Sequence, residues 1–132
     1  PPLILWCLGK TAPTHQSFVT CERFAVNILK VDQLSLSNQF ATPSEDKFVG
    51  VEWHAGIGGI PLLKHVLAYF ECQNHDQHNG GDHTILVGKI ENFTYEIGEP
   101  LLFNAGKYGI ASDYPGDYEA VKDTKAFADL LL

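Results

Sequence analysis

From Cys72 to Ile90 the chain reads C-Q-N-H-D-Q-H-N-G-G-D-H-T-I-L-V-G-K-I, crowding three histidines and two aspartates between apolar runs. Gly81-Asp82-His83 is the sharpest group in it. A histidine leaving a glycine turn can reach a ligand, donate a hydrogen bond and titrate near neutrality, while the adjacent carboxylate can fix its tautomer. The plainer reading is a polar hairpin with an exposed histidine. Cys72, His75, His78 and His83 offer a second chemistry, metal binding, because Cys-x2-His-x2-His supplies thiolate and imidazole ligands at short spacing. An extended segment points residues three apart to opposite faces, and there is no second paired knuckle, so a solvated histidine-rich loop ranks above a metal site.

A second polar group, Lys10-Thr11-Ala12-Pro13-Thr14, falls between a strand end and a helix start. Hydroxyls, a lysine and free backbone N–H groups at a helix N-terminus make a phosphate cradle, and a capped turn is the plain alternative. The loop lacks the glycine spacing of the known nucleotide loops. Nucleophilic catalysis finds little support: Cys7, Cys21 and Cys72 stand in apolar runs where a thiolate is costly, and no Gly-x-Ser-x-Gly elbow occurs.

The elements that must carry these groups follow from the pattern. Leu3 to Leu8 is a continuous apolar run between Pro2 and Gly9, which predicts a strand buried on both faces. Thr14 can cap a short helix reaching Cys21, Phe24 to Leu29 reads as another buried strand, and Asp32 can cap a helix to about Phe40. Four glycines between Phe48 and Pro61 predict a loop with one short strand at its start. Two longer strands follow, His65 to Cys72 and Thr84 to Ile90, the second extending through Glu96. Asn74 to Asp82 then reads as a long hairpin connection opened by Gly80 and Gly81. Pro100 to Asn104 gives a further apolar run, Asp113 to Asp117 a turn, and 117–132 an amphipathic C-terminal helix. Trp6, Phe24, Phe70 and Phe103 read as core, whereas Trp53 and Tyr108, beside glycines, can expose a ring for stacking.

With 132 residues the chain is one domain by length, and its short strands with few helices predict a mainly β fold whose sheet closes as a barrel. A formal charge of −7 argues against a nucleic-acid partner, since phosphate backbones need clustered Lys and Arg. Three widely spaced cysteines read as reduced core thiols of a cytoplasmic protein. No apolar run reaches membrane-spanning length, so no membrane partner is expected. The sequence has no methionine and opens on Pro1-Pro2-Leu3, already inside a strand, so residues upstream of Pro1 are expected.

The order of these pieces resembles the flavin reductase family, the reductase partners of two-component flavin-dependent monooxygenases. The stretches that carry it are Pro1 to Leu5, Phe24 to Leu29, Gln33 with Phe40-Ala41, Lys47 to Trp53 and Gly59 to Leu63, followed by Phe70-Glu71-Cys72, Gly81 to Gly88 and Pro100 to Tyr108. Together they cover nearly the whole chain up to Gly109. The resemblance implies a mainly β, Greek-key type FMN-binding split barrel, usually a homodimer, in which hydride passes from NADH or NADPH to FMN or FAD and reduced flavin leaves for the monooxygenase component. It also implies roles for single residues. Gly81, Asp82 and His83 would touch the nicotinamide nucleotide, with His83 the catalytic residue and Tyr108 a cover. Lys10, Thr11, Ala12 and Thr14 would meet the flavin phosphate and ribityl chain, with Asn27, Phe40 and Ala41 also at the cofactor. Two departures stand out. The Thr/Ser-rich segment that the family carries before the Pro-Pro pair is absent, and Ala12 and Pro13 occupy places where members often have small hydroxyl residues. Two other readings stay open: a non-catalytic flavin carrier or electron-transfer module, and a metal-binding β-barrel using the histidine-rich loop.

Overall fold

The structure, a computed structural model, describes residues 1–114, and within them it contains eight strands and two α-helices. The helix expected over 117–132 lies outside the described residues. Strand β1 (Leu3–Gly9) forms where the apolar run begins, but as the edge of an antiparallel sheet ordered β1-β6-β5-β2. Its side chains alternate, with Ile4, Trp6 and Leu8 turned inward and Leu3 and Leu5 49% and 65% exposed. The expectation of burial on both faces is therefore corrected, and so is the reading of Cys7 as a core thiol, because it shares the exposed face. Cys72 alone of the three thiols is fully buried, and burial pushes its pKa up to about 11.

Helix α1 (His15–Thr20) starts after Thr14, whose side chain makes no capping bond, and packs Phe18 edge-on against Trp6 at 4.9 Å between ring centroids. β2 (Arg23–Ile28) pairs with β5 (Ala68–Gly80), and β5 with β6 (His83–Tyr95). β5 starts at Ala68 rather than His65 and runs on past Cys72 to Gly80, whereas β6 matches the strand expected from Thr84 through Glu96 to within one residue at each end. Asn74 to Gly80 is strand rather than loop, and the connection is two residues, Gly81 and Asp82, with φ +76° at Gly81. A glycine at the first central position is what the type II′ hairpin turn requires. The ladder is interrupted twice, between Glu71 and Cys72 and between Asn74 and Asp76, so Glu91 on one strand and His75 on the other are left without a partner in the register.

A single 3-10 turn, Val31–Gln33, leads into α2 (Leu34–Ala41), so Asp32 lies within the helical entry rather than capping it. The Lys30 N–H instead donates to Gln33 Oε1 at 2.9 Å. The loop after α2 reaches β3 (Trp53–Ala55) and β4 (Pro61–Leu63), which pair with each other. Glu71, 3% exposed, holds the glycine turn between them: its Oε1 accepts the Ile57 N–H at 2.7 Å and its Oε2 accepts Asn92 Nδ2 at 2.6 Å. A buried carboxylate needs such donors, and this one gets two. β7 (Leu101–Asn104) and β8 (Lys107–Ile110) form a hairpin whose β8 arm the hydropathy pattern misses. Bonds from Val31 N–H to the Glu99 carbonyl (2.9 Å) and from Leu101 N–H to the Leu29 carbonyl (3.0 Å) join it to the chain after β2. Phe103 on β7 is 66% exposed, which corrects its reading as core.

The core sits where β2, β5 and β6 face β4, on Phe24, Leu62, Cys72 and Leu86, each 3% exposed or less. Gly88 lies beneath Phe24, and a Cβ built there would come 2.6 Å from Phe24 Cζ and 2.9 Å from Cys72 Cβ. Gly88→Ala is therefore expected to destabilise the fold by about 1–3 kcal/mol through overpacking, measurable by urea unfolding. Iodoacetamide at pH 8 is expected to label Cys7 in the native protein while sparing Cys72, as read by peptide mass spectrometry.

Candidate functional site

The register of β1 on β6 places the two polar groups of the sequence side by side. Gly9, the last residue of β1, is paired with His83, the first of β6. The Lys10 N–H then donates to the Asp82 carbonyl at 2.9 Å, so the 10–14 loop leaves the sheet against the hairpin turn. Gly9 is also what the imidazole rests over, since a Cβ on it would lie 3.7 Å from His83 Nε2. Lys10 Nζ reaches back to Asn79 Oδ1 at 2.5 Å.

His83 Nδ1 lies 2.8 Å from Asp82 Oδ1, with the imidazole half-exposed. The hydrogen bond from His83, ahead of its charge, holds the Asp82 carboxyl below the usual carboxylate range. An Nδ1–H directed at the carboxylate leaves Nε2 as the free nitrogen of the neutral ring. His78, by contrast, lies along β5, where its Nε2 meets Asp76 Oδ2 at 3.3 Å, and His75 is exposed at the bulge. Among the described residues no group of three or more His, Cys, Asp and Glu is arranged to hold a metal, and the proposed ligand Cys72 is sealed in the core.

A cleft of about 770 Å³ opens between α1, β2, α2 and β4. Its size is that of a pocket for a cofactor. Thr14, Asn27 and Phe40 of the sequence-derived set line it, with Ser17, Ser37 and Ser44 as hydroxyls, Arg23 and Lys47 as cations, and Phe18, Phe24 and Phe48 as aromatic walls. Glu45 and Asp46 line it as well, matching the two cations in number, so it is the flat rings and hydroxyls that suit a ligand with a planar ring system. The Asn27 amide is directed at β4, with Oδ1 accepting Leu63 N–H at 3.0 Å and Nδ2 reaching the Pro61 carbonyl at 3.4 Å. Its role in the wall is thus to hold β4. Phe40 packs edge-on with Phe48 at 5.0 Å, and its carbonyl accepts Lys47 Nζ at 2.7 Å. Ala41 is the last residue of α2 and is exposed. Tyr108 comes to α2 from the far hairpin, its hydroxyl 3.0 Å from Ser37 Oγ and 3.1 Å from Asn38 Oδ1.

The expected residues thus form two neighbouring sets. Lys10, Gly81, Asp82 and His83 meet at the β1/β6 end, with Thr11 and Ala12 in the same loop; Thr14, Asn27 and Phe40 line the cleft, with Ala41 and Tyr108 on the α2 side. Pattern reading missed Lys47, which it cited only within a stretch that carries the family resemblance, and His15, whose Nε2 lies 2.9 Å from Thr84 Oγ1. A contact across 69 residues has no local signal in the sequence. A smaller depression of about 330 Å³ beside Gln33, Lys64 and His65 is lined by none of these residues.

A curled antiparallel sheet with this histidine turn at its end is the split barrel of flavin reductases. The NADH:FAD oxidoreductase SgcE6 of Streptomyces globisporus C-1027, solved in complex with NAD and FAD fragments, superposes with a TM-score of 0.79 at 36% identity over 88% of this chain and 70% of its own. A homologue of nitrilotriacetate monooxygenase component B from Mycobacterium thermoresistibile superposes at 0.81 with 33% identity over 89% and 69% of the two chains.

The chain belongs to the flavin reductase family, its residues 1–112 matching the flavin reductase like domain. It is 37% identical to an FMN reductase (NADH), SmoA, of Agrobacterium fabrum over 83% of this chain, and 42% identical to a probable flavin reductase of Rhizobium meliloti over 70%. It spans 62% and 30% of the lengths of those two relatives.

The lowered ionisation of Asp82 fixes a sign. A carboxylate whose folded pKa is depressed stabilises the fold above its unfolded pKa, near about 3.9, and loses that contribution as the pH falls through the folded value. The stability gap between the wild type and Asp82→Asn is therefore expected to be present near about pH 5 and to close as the pH falls below about 4. Urea unfolding across that range checks it; a gap that widens on acidification contradicts the pairing.

Proposed function

We propose that this chain is the split-barrel part of an NAD(P)H-dependent flavin reductase, which passes hydride from nicotinamide to FMN or FAD and supplies reduced flavin to a partner monooxygenase. The observation that carries the reading is the Gly9–His83 pairing, which sets a free imidazole nitrogen beside a loop that leads into a flavin-sized cleft. The names and functions of the relatives support it. Bound flavin supplies the ring that accepts the hydride, and the protein contributes binding and orientation.

In this reading Lys10, Thr11, Ala12 and Thr14 receive the flavin phosphate and ribityl chain, with Asn27, Phe40 and Ala41 beside it. Lys47 adds a cation to the same wall. His83, held by Asp82 and Gly81, offers Nε2 to the nicotinamide nucleotide, and Tyr108 covers that nucleotide from the α2 side. In this reading the protein is a cytoplasmic homodimer, and the described residues belong to one split-barrel domain. Among the described residues no helix is long and apolar enough to cross a membrane.

Mixing the protein with NADH or NADPH and either flavin, and following nicotinamide absorbance, tests the activity. Oxidation above the protein-free rate is expected with at least one pairing; none with any pairing contradicts it, and a protein that retains flavin without turnover would be a carrier. His83→Ala is expected to slow the reductive step about 10- to 100-fold in stopped flow while flavin affinity is unchanged. An unchanged rate removes His83 from the mechanism.

A further inference from the structure

Helix α1 stands between the two halves of the proposed site. Its entry residue Thr14 and its Ser17 and Phe18 line the cleft, while other groups on it are fastened to the hairpin that carries His83. Asn74 Nδ2 donates to the carbonyls of Phe18 (2.8 Å) and Cys21 (3.0 Å), and Gln77 Nε2 to that of Val19 (2.8 Å). Those bonds have a sufficient local cause, because the last carbonyls of any helix lack partners within it. The half-buried contact of 2.9 Å between His15 Nε2 and Thr84 Oγ1 does not. It joins a side chain in the first turn of α1 to the residue that follows His83, and neither helix nor sheet needs it.

Its position gives it a use. His83 and Thr84 are the first two residues of β6, paired with Gly80 and Asn79 of β5 on one side and with Gly9 and Leu8 on the other. There the edge strand β1 ends, and its last rungs open more readily than the middle ones. Successive strand residues face opposite ways, so a grip on Thr84 steadies His83 from the other face of the sheet. The same His15 directly follows Thr14, where the 10–14 loop ends.

We propose that His15 is a positioning residue, whose bond to Thr84 holds His83 at a set distance from the flavin-side loop and so couples the two halves of the site. The inference rests on the reading of His83 as the nicotinamide-side residue. It makes His15 and Thr84 act as one unit on nicotinamide binding, with flavin affinity left alone.

The test compares His15→Ala, His15→Gln, Thr84→Val, the His15→Ala/Thr84→Val double variant and His83→Ala in the full-length protein. Calorimetry gives Kd for NAD⁺ with flavin present and for flavin alone, and steady-state kinetics separate KM for NADH from kcat. His15→Ala and Thr84→Val are each expected to raise the NAD⁺ Kd and the NADH KM about three- to tenfold, the loss of one hydrogen bond, with a smaller change in kcat. The double variant is expected to lose no more than either single one. His15→Gln, whose amide nitrogen can stand near the place of Nε2, is expected to restore most of the loss. Thr84→Val keeps volume and strand preference, so it reports on the bond even if His15→Ala folds poorly. A lower melting temperature with unchanged Kd and KM in both variants overturns the proposal, since the bond would then serve stability only. If His83→Ala leaves NAD⁺ binding and the reductive rate unchanged, the reading of His83 fails and takes the proposal with it. If His83→Ala impairs them while His15→Ala and Thr84→Val do not, the proposal alone fails.

Discussion

Seven paired residues of β1 and β6 set where everything polar in this chain ends up, and the pair that matters most is the last, Gly9 with His83. Antiparallel register is specified by which side chains must face the core, and a slip of β1 by one residue on β6 would turn Trp6 outward. The core therefore fixes the register, and the register fixes the turn. Because Leu86 must be buried, His83 must stand opposite Gly9 and face away from the core. The imidazole then rests over Gly9, with Nε2 at ordinary contact distance from where a Cβ would stand. Asp82 adds the hydrogen bond that orients the ring, and the Asp82 carbonyl holds the start of the 10–14 loop.

A similar economy governs the cleft wall. Asn27 and Glu71 both brace the β3–β4 segment, Asn27 with its amide on Pro61 and Leu63 and Glu71 with Oε1 on the turn before them. Ile60 and Pro61, which line the cleft, are thus held from both ends. Neither side chain needs to touch a ligand to matter to its fit. The two bulges serve the curvature of the sheet: extra residues at His75 and Glu91 increase local twist, and Glu91, freed from the ladder, reaches Arg23 across β5 at 3.0 Å.

Much of this was legible in the sequence, and what was not has physical reasons. β1 and β2 are marked by apolar runs, β1 also by Pro2 and Gly9 at its ends, the helix between them by Pro13 and Thr14 at its start, and the His83 turn by Gly81. The order of motifs identified the family correctly. Asn74 to Gly80 read as loop because it carries no apolar alternation. Its inward side chains include Asn74 and Gln77, which satisfy helix carbonyls instead of filling a hydrophobic core, so the strand is polar on both faces. β8 was missed because K-Y-G-I is too short to show a period, and because the turn before it, Ala105-Gly106 with positive φ at both, sets an alanine where Asn, Asp or Gly would mark a type I′ turn. Cys7 looked buried because an edge strand can be apolar on both faces when one of them is exposed. The His15–Thr84 bond joins segments that only the folded sheet brings together.

The central claim is that the β1/β6 end, and not the rest of the histidine-rich strand, receives the nicotinamide nucleotide. Titrating NAD⁺ into the flavin-loaded protein and following the histidine ring signals by NMR, assigned with His83→Ala and His78→Ala, addresses it without relying on turnover. The account predicts that the His83 signals move in proportion to occupancy while those of His75 and His78 stay in place. Movement of His78 or His75 with His83 unchanged would contradict it.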